Sequence, residues 1–189
     1  MPKKIASELD WIVLGIEKFA EGGEAALIVE KLARQLGSSK TSFYWYFKDR
    51  SQYVSRIIAE WKERATTAVI ARNEMLEPLS PQRQVQELLL AMFSFNGGGD
   101  FLFYLRKLGE GEAQYGELLR QIEQQRLTYM SDLLVRCGHS QVEAERASEL
   151  VYSYYLGWYE RYKSHIVTKE SAGQQAYFIM AFIGIGIDH

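Results

Sequence analysis

The chain is poor in the residues that fix a fold or a chemistry by themselves. It has one cysteine, Cys137, which excludes an internal disulfide and agrees with a reducing cytoplasm. Its three histidines, His139, His165 and His189, show no ligand-like spacing, and Cys137-Gly138-His139 reads as a helix stop. Gly97-Gly98-Gly99 is followed by no Gly-Lys-Ser/Thr and preceded by no strand pattern, so it reads as a turn and not a phosphate loop. There is no nucleophile elbow and no dinucleotide fingerprint. The N-terminus lacks the apolar run of a signal peptide, and the most apolar stretch, residues 177–187, is too short to span a bilayer. Repeats and low-complexity linkers are absent. The expectation is a cytoplasmic protein with no catalytic site, no metal, no cofactor and no membrane partner.

Charge of one sign is also lacking. The net charge of −2 over 189 residues excludes a polybasic nucleic-acid binder. Its distribution is uneven. Nine Lys and Arg against seven Asp and Glu through residue 56 leave +2 there and −4 in the rest. A weakly basic head on an acidic body suits binding by a patch. The apolar fraction of 47% is ample for a core.

What is present centres on residues 37–50, GSSKTSFYWYFKDR. Val29, Leu32, Ala33 and Leu36 recur on one face of a short helix. Gly37 follows where a helix end wants a left-handed residue, and Ser39 can cap the next helix. Phe43 and Phe47, four apart, face inward on that second helix. Lys40, Thr41, Ser42, Tyr44, Trp45 and Tyr46 are left to face outward, with Lys48 and Arg50 closing the run. Such groups touch phosphates and base edges. Upstream, Leu9, Ile12, Val13, Ile16, Phe19 and Ala20 form an amphipathic helix that can cover the other two. The pattern is a three-helix, helix-turn-helix unit.

Residues 8–53, and above all LIVEKLARQLGSSKTSFYWYFKDRSQY, resemble the DNA-binding domain of the tetracycline-repressor (TetR) family of transcriptional regulators. The resemblance covers about a quarter of the chain. It implies that Ser39, Lys40, Thr41, Ser42 and Trp45 approach bases and that Tyr44, Tyr46, Lys48 and Arg50 grip phosphates. It also implies a homodimer on a palindromic double-stranded operator, released by a small-molecule effector. Two positions depart from the pattern. Ile28 stands where members often carry Thr or Ser, and Tyr46 where His is common.

The remainder reads as all helix, giving an all-α protein of about nine helices. Residues 1–50 would form the DNA-binding domain and 51–189 a ligand-binding and dimerisation domain. A fourth helix runs unbroken over residues 51–73 and can act as a lever. The fifth starts at Ser80-Pro81 and runs from about Gln82 to Phe95, the sixth over 101–108 and the seventh over 112–137. Ser140 and Glu143, at capping-box spacing, begin the eighth, and residues 171–187 form the ninth.

The eighth and ninth helices are apolar and aromatic nearly all round, so both sides need cover. Val151, Tyr154, Trp158, Tyr162, Phe178 and Phe182 are the expected contacts with a second copy. A hydrophobic or aromatic effector is expected in a cavity between the fourth and eighth helices. Trp61, Ala65, Phe93, Phe95, Phe103, Tyr115, Tyr129, Tyr152, Tyr155 and Tyr159 are candidates to line it. The alternative is a helical-bundle small-molecule-binding protein or enzyme without regulatory DNA binding.

Overall fold

The computed structural model describes residues 6–94 and 99–186. Readings that involve Lys3, Lys4, Phe95, Gly97, Gly98, Ile187 and His189 lie outside the described residues. Among those described, every regular element is helical. In chain order they are α1 (Glu8–Gly22), a 3-10 turn (Gly23–Ala26), α2 (Val29–Gln35), α3 (Lys40–Tyr46) and α4 (Arg50–Lys62). A π segment (Glu63–Thr67) then leads into α5 (Ala68–Glu74), α6 (Pro81–Phe93), α7 (Phe101–Gly111), α8 (Ala113–Arg136), α9 (Gln141–Tyr162) and α10 (Lys169–Phe182). Because α4, the π segment and α5 follow one another without a break, they count as one helix and bring the described total to the expected nine.

Local chemistry explains most boundaries. Ser7 caps α1 and Ser140 caps α9, each in a capping box with Asp10 and Glu143 respectively. The Ser140 hydrogen bonds hold the Glu143 carboxyl below the usual carboxylate range. Ser80 accepts from the Arg83 amide with Pro81 in the first turn of α6. The last helix differs from expectation at both ends. Thr168 caps it, accepting from the Ser171 amide at 3.1 Å, so Ser171 lies inside it. It stops at Phe182 because Gly184 turns left-handed at φ 76°, letting the Ile185 amide bond back to Met180 O.

The fourth helix is not regular throughout. The π segment inserts one extra residue, and Arg126 of α8 donates there to Ala65 O (3.2 Å) and Thr66 Oγ1 (2.9 Å). Thr66 is buried.

The described chain divides into two compact units. One comprises Met1–Arg64 and Gly98–Arg120; the other comprises Ala65–Gly97 and Gln121–His189. The first division therefore falls at the π segment, between Arg64 and Ala65.

In the first unit α1 packs against α4 and α7 and also touches α2 and α3. Its buried face is Trp11, Ile12, Leu14, Gly15, Phe19 and Ala20, whereas Leu9 and Val13 are exposed. The expected stripe was thus offset by part of a turn. Trp11 and Gly15 belong to the inward side because Tyr53 and Ile57 of α4 meet them there. The sixth helix, α7, is part of this unit. The Asp100 amide bonds to Ala20 O at 2.7 Å, Phe101 lies 4.7 Å from the Phe19 ring, and Trp61 stacks on Phe101 at 4.4 Å. Tyr115 is buried here with its hydroxyl 3.4 Å from Ser55 Oγ.

The second unit has its own core. Val85, Leu88, Leu89 and Phe93 of α6 meet Met130, Leu133 and Leu134 of α8, Val151 and Trp158 of α9, and Ala176, Ile179 and Met180 of α10. Asn73 ties α5 to α6 by donating to Gln84 O (2.9 Å) while accepting from the Tyr129 hydroxyl (2.8 Å).

Gly15 tests the packing of the first unit. A Cβ there would collide with the Tyr53 hydroxyl and lie 2.8 Å from Ile57 Cγ1. Gly15→Val is expected to destabilise this unit by about 1–3 kcal/mol, the usual cost of overpacking. Thermal unfolding followed by circular dichroism measures it; an unchanged midpoint would contradict the described packing.

Candidate nucleic-acid interface

The site begins at a turn. Gly37 adopts φ 62°, its amide bonds to Arg34 O (3.1 Å), and the Ser38 amide reaches Ala33 O (2.8 Å). These two bonds are the Schellman pair that closes a helix, and the left-handed residue between them favours glycine. Ser39 then caps α3 by accepting from the Ser42 amide at 3.2 Å. Ile28 occupies the cap of α2 with no side-chain bond, since an aliphatic side chain offers no acceptor. Asp49 caps α4 by accepting from the Gln52 amide at 2.8 Å.

An aromatic cluster fixes the direction of α3. Phe43 and Phe47 are fully buried, with ring centroids 5.0 Å apart. Phe43 meets Trp11 edge-on at 5.4 Å and Tyr53 at 5.0 Å, and Phe47 lies 4.7 Å from Tyr53. The Tyr53 hydroxyl donates to Trp11 O at 2.6 Å, and burial pushes its pKa well above the ordinary phenol value. The inward face of this short helix is thereby held by α1 and α4 together.

The outward face follows as the remainder. Lys40, Thr41, Tyr44 and Trp45 are exposed, with Tyr44 at 59% and Trp45 at 64%; Ser39, Lys48 and Arg50 are exposed as well. Tyr46 is half-buried beside Phe47. Ser42 departs from expectation: only 3% of it is exposed. At about 100° per residue it falls next to Phe43 on the inward side, and its side chain is small enough to fit there. It is a packing residue and is withdrawn from the outward set.

Two carboxylates absent from the sequence-based set stand at this surface. Glu30, in the first turn of α2, pairs with Lys40 at the start of α3. The hydrogen bond from Lys40 holds the Glu30 carboxyl below the usual carboxylate range. Glu24 engages Arg50 twice: its carboxylate lies 3.3 Å from Arg50 Nε, and its backbone carbonyl accepts from the same guanidinium. All four side chains are about half-exposed. Separations of ten and twenty-six residues hide these pairs from periodicity; only the turn that brings α2 against α3 reveals the first.

The expected effector-pocket residues do not gather in one unit. Trp61, Phe103 and Tyr115 belong to the first, and Phe103 is exposed. Ala65, Phe93, Tyr129, Tyr152, Tyr155 and Tyr159 belong to the second. The cause is the packing of α7 on α1. Within the second unit the Tyr155 and Tyr159 rings lie 6.2 Å apart and tilted by 43°, and Arg126 lies 3.5 Å from the Tyr152 hydroxyl. Burial pushes Tyr155 up to about 12. Arg126 was missed, although a cation in register with Ile122 and Met130 on a buried stripe is a visible signal. A separate cleft of about 450 Å³ is lined by Glu74, Glu77, Tyr129, Asp132, Leu133 and Arg136, of which only Tyr129 was expected at a pocket.

The expected dimer residues divide in another way. Val151 and Trp158 are buried in the second unit's own core, Trp158 with its ring 5.0 Å from Phe93. They are corrected to core positions. Phe178 (51% exposed) and Phe182 (63%) remain on the surface of α10, with Tyr177 also exposed. Tyr154 adjoins them 5.8 Å from Phe178, and Tyr162 is at the margin of exposure. Among the described residues no helix is long and apolar enough to cross a membrane.

The split between inward and outward faces of α3 is directly measurable. Phe43→Ala is expected to cost about 3–5 kcal/mol in urea unfolding. Trp45→Ala should stay within about 0.5 kcal/mol, since the side chain supports no buried contact. Equal losses would place Trp45 in the core.

No protein-family model matches the sequence, and no curated protein matches it.

Proposed function

We propose that this protein is a sequence-specific, TetR-like transcriptional regulator that binds double-stranded DNA through α3, acting in the cytoplasm as a repressor. One observation carries the reading: a seven-residue helix whose inward face is locked by Trp11, Phe43, Phe47 and Tyr53 presents Lys40, Thr41, Tyr44 and Trp45 to solvent. An exposed Trp and Tyr on a rigidly held short helix are costly surface unless a partner covers them. In helix-turn-helix proteins the N-terminal residues of the second helix meet base edges in the major groove. Ser39, Lys40, Thr41 and Trp45 are assigned to bases, and Tyr44, Tyr46, Lys48 and Arg50 to phosphates.

The regulator acts as a homodimer. The support is the aromatic surface of Tyr154, Tyr177, Phe178 and Phe182, continuous across α9 and α10. A two-fold copy would place its α3 in the next major groove of a palindrome, about 34–36 Å away. Because Phe182 is outside the protomer's core, Phe182→Glu should leave the helix content intact and yield a monomer by sedimentation. A native protein that sediments as a monomer at micromolar concentration refutes the dimer.

Selection of bound duplexes from a random pool tests the DNA reading. A palindrome should emerge. Arg50→Ala should weaken all duplexes alike and flatten the salt dependence by about one charge. Recovery of no preferred sequence would refute sequence-specific regulation.

Release by an effector completes the reading. It is assigned to the second unit, where Tyr152, Tyr155 and Tyr159 gather near Arg126. Aromatic walls with hydroxyls and one cation suit an aromatic small molecule. A compound that raises the thermal midpoint should weaken operator binding, and operator should weaken the compound by the same factor. Binders that leave DNA affinity untouched would remove the effector from the account.

A further inference from the structure

The two cations best placed to meet DNA each have a carboxylate partner within their own unit. On a surface assigned to a polyanion, acidic side chains oppose binding unless they do something else there. The two pairs differ in geometry. Arg50 is held by a side chain and a backbone carbonyl of Glu24, and its fork retains further N–H groups. Lys40 meets Glu30 through side chains, Nζ against Oε1 of the carboxylate. An ammonium has three donors, so one bond to Glu30 leaves two. Two is the number of acceptors, O6 and N7, that a guanine presents in the major groove. Lys40 also opens α3, the end of a recognition helix that faces base edges.

We propose that Glu30 is a positioning residue that sets sequence specificity: it aims Lys40 at a base edge and weakens its pull on phosphates. The proposal rests on the reading of α3 as a DNA-recognition helix. A free lysine on a four-carbon stem swings to whichever phosphate is nearest and favours every duplex. Tied to Glu30, the same lysine keeps one direction and carries less net charge toward the backbone. Unselected DNA, bound almost wholly through phosphates, loses that attraction. A site with a guanine at the right step retains the two remaining donors in place. Glu24 has no such role: its partner Arg50 is assigned to a phosphate, so it acts as charge alone.

The experiment uses the full chain, the best duplex recovered from a random pool, and a scrambled duplex of the same composition, both read by fluorescence anisotropy over a range of salt. Glu30→Gln is expected to tighten scrambled DNA about three- to five-fold, the scale of one exposed ion pair, and to steepen its salt dependence. The selected duplex should gain nothing or lose affinity, so the ratio between the two falls at least three-fold. In a Lys40→Ala background the same substitution should leave the ratio unmoved, because the effect passes through Lys40. Glu24→Gln should tighten both duplexes by one common factor. A Glu30→Gln protein whose ratio equals or exceeds that of the native chain overturns the proposal, and so does a Glu24→Gln protein whose ratio falls as far. Failure of the native chain to enrich any duplex overturns the underlying DNA reading instead, before any variant is measured.

Discussion

The contact between the Tyr53 hydroxyl and Trp11 O is the constraint on which the first unit turns. It joins α4 to α1 across forty-two residues, and the rings of Phe43 and Phe47 are packed against the two partners. A helix of seven residues has little stability of its own. Its position must come from what it is packed against. With Phe43 and Phe47 held by this cluster, α3 has one permitted rotation, and everything that faces solvent does so because these two rings do not. Gly15 is part of the same device. Only a residue without Cβ lets Tyr53 and Ile57 approach α1 this closely.

Legibility in the sequence tracked how local the cause was. The Gly37 turn, the Ser39 cap, the Ser80-Pro81 start and the Ser140–Glu143 box were all visible because each is written within three or four residues. The offset of the buried face of α1 was not, because Leu9 and Val13 are as apolar as the residues that replaced them inside. What chose between the two faces was α4, whose arrival no window of the sequence contains. The partner of the π segment was equally out of reach: Arg126 donates to Ala65 O and Thr66 Oγ1 from about sixty residues away. The packing of α7 on α1, through Phe101 and Asp100, was likewise a tertiary fact that no window of the sequence contains.

The aromatic helices at the C-terminal end show a further limit of pattern reading. Periodicity marks positions that must leave water, and it does not distinguish a protomer's own core from a partner's surface. Val151 and Trp158 satisfied the pattern by packing on Phe93 and its neighbours. Phe178 and Phe182 satisfied it no less well and remain in solvent. The difference lies in which side of α10 meets α6. Residues 176, 179 and 180 face that contact, leaving 177, 178 and 182 on the far side. A helix wide enough in its apolar arc to serve two neighbours reads as one stripe until the first neighbour is placed.

Charge at the head follows a similar logic on the polar side. Counting residues gives a mildly basic patch, which fits a binder that relies on placement more than on bulk attraction. The structure refines the count, since Lys40 and Arg50 are both engaged by carboxylates. Such exposed pairs contribute little to stability, so folding alone gives little reason for Glu30 and Glu24 to stand there. Their effect on a polyanion would be larger than their effect on the fold, because each carboxylate largely cancels the charge that its partner presents to a phosphate at long range. On the proposed DNA reading, such a surface would discriminate by geometry: a cation would contribute fully only to a ligand that offers acceptors in the direction its own carboxylate leaves open.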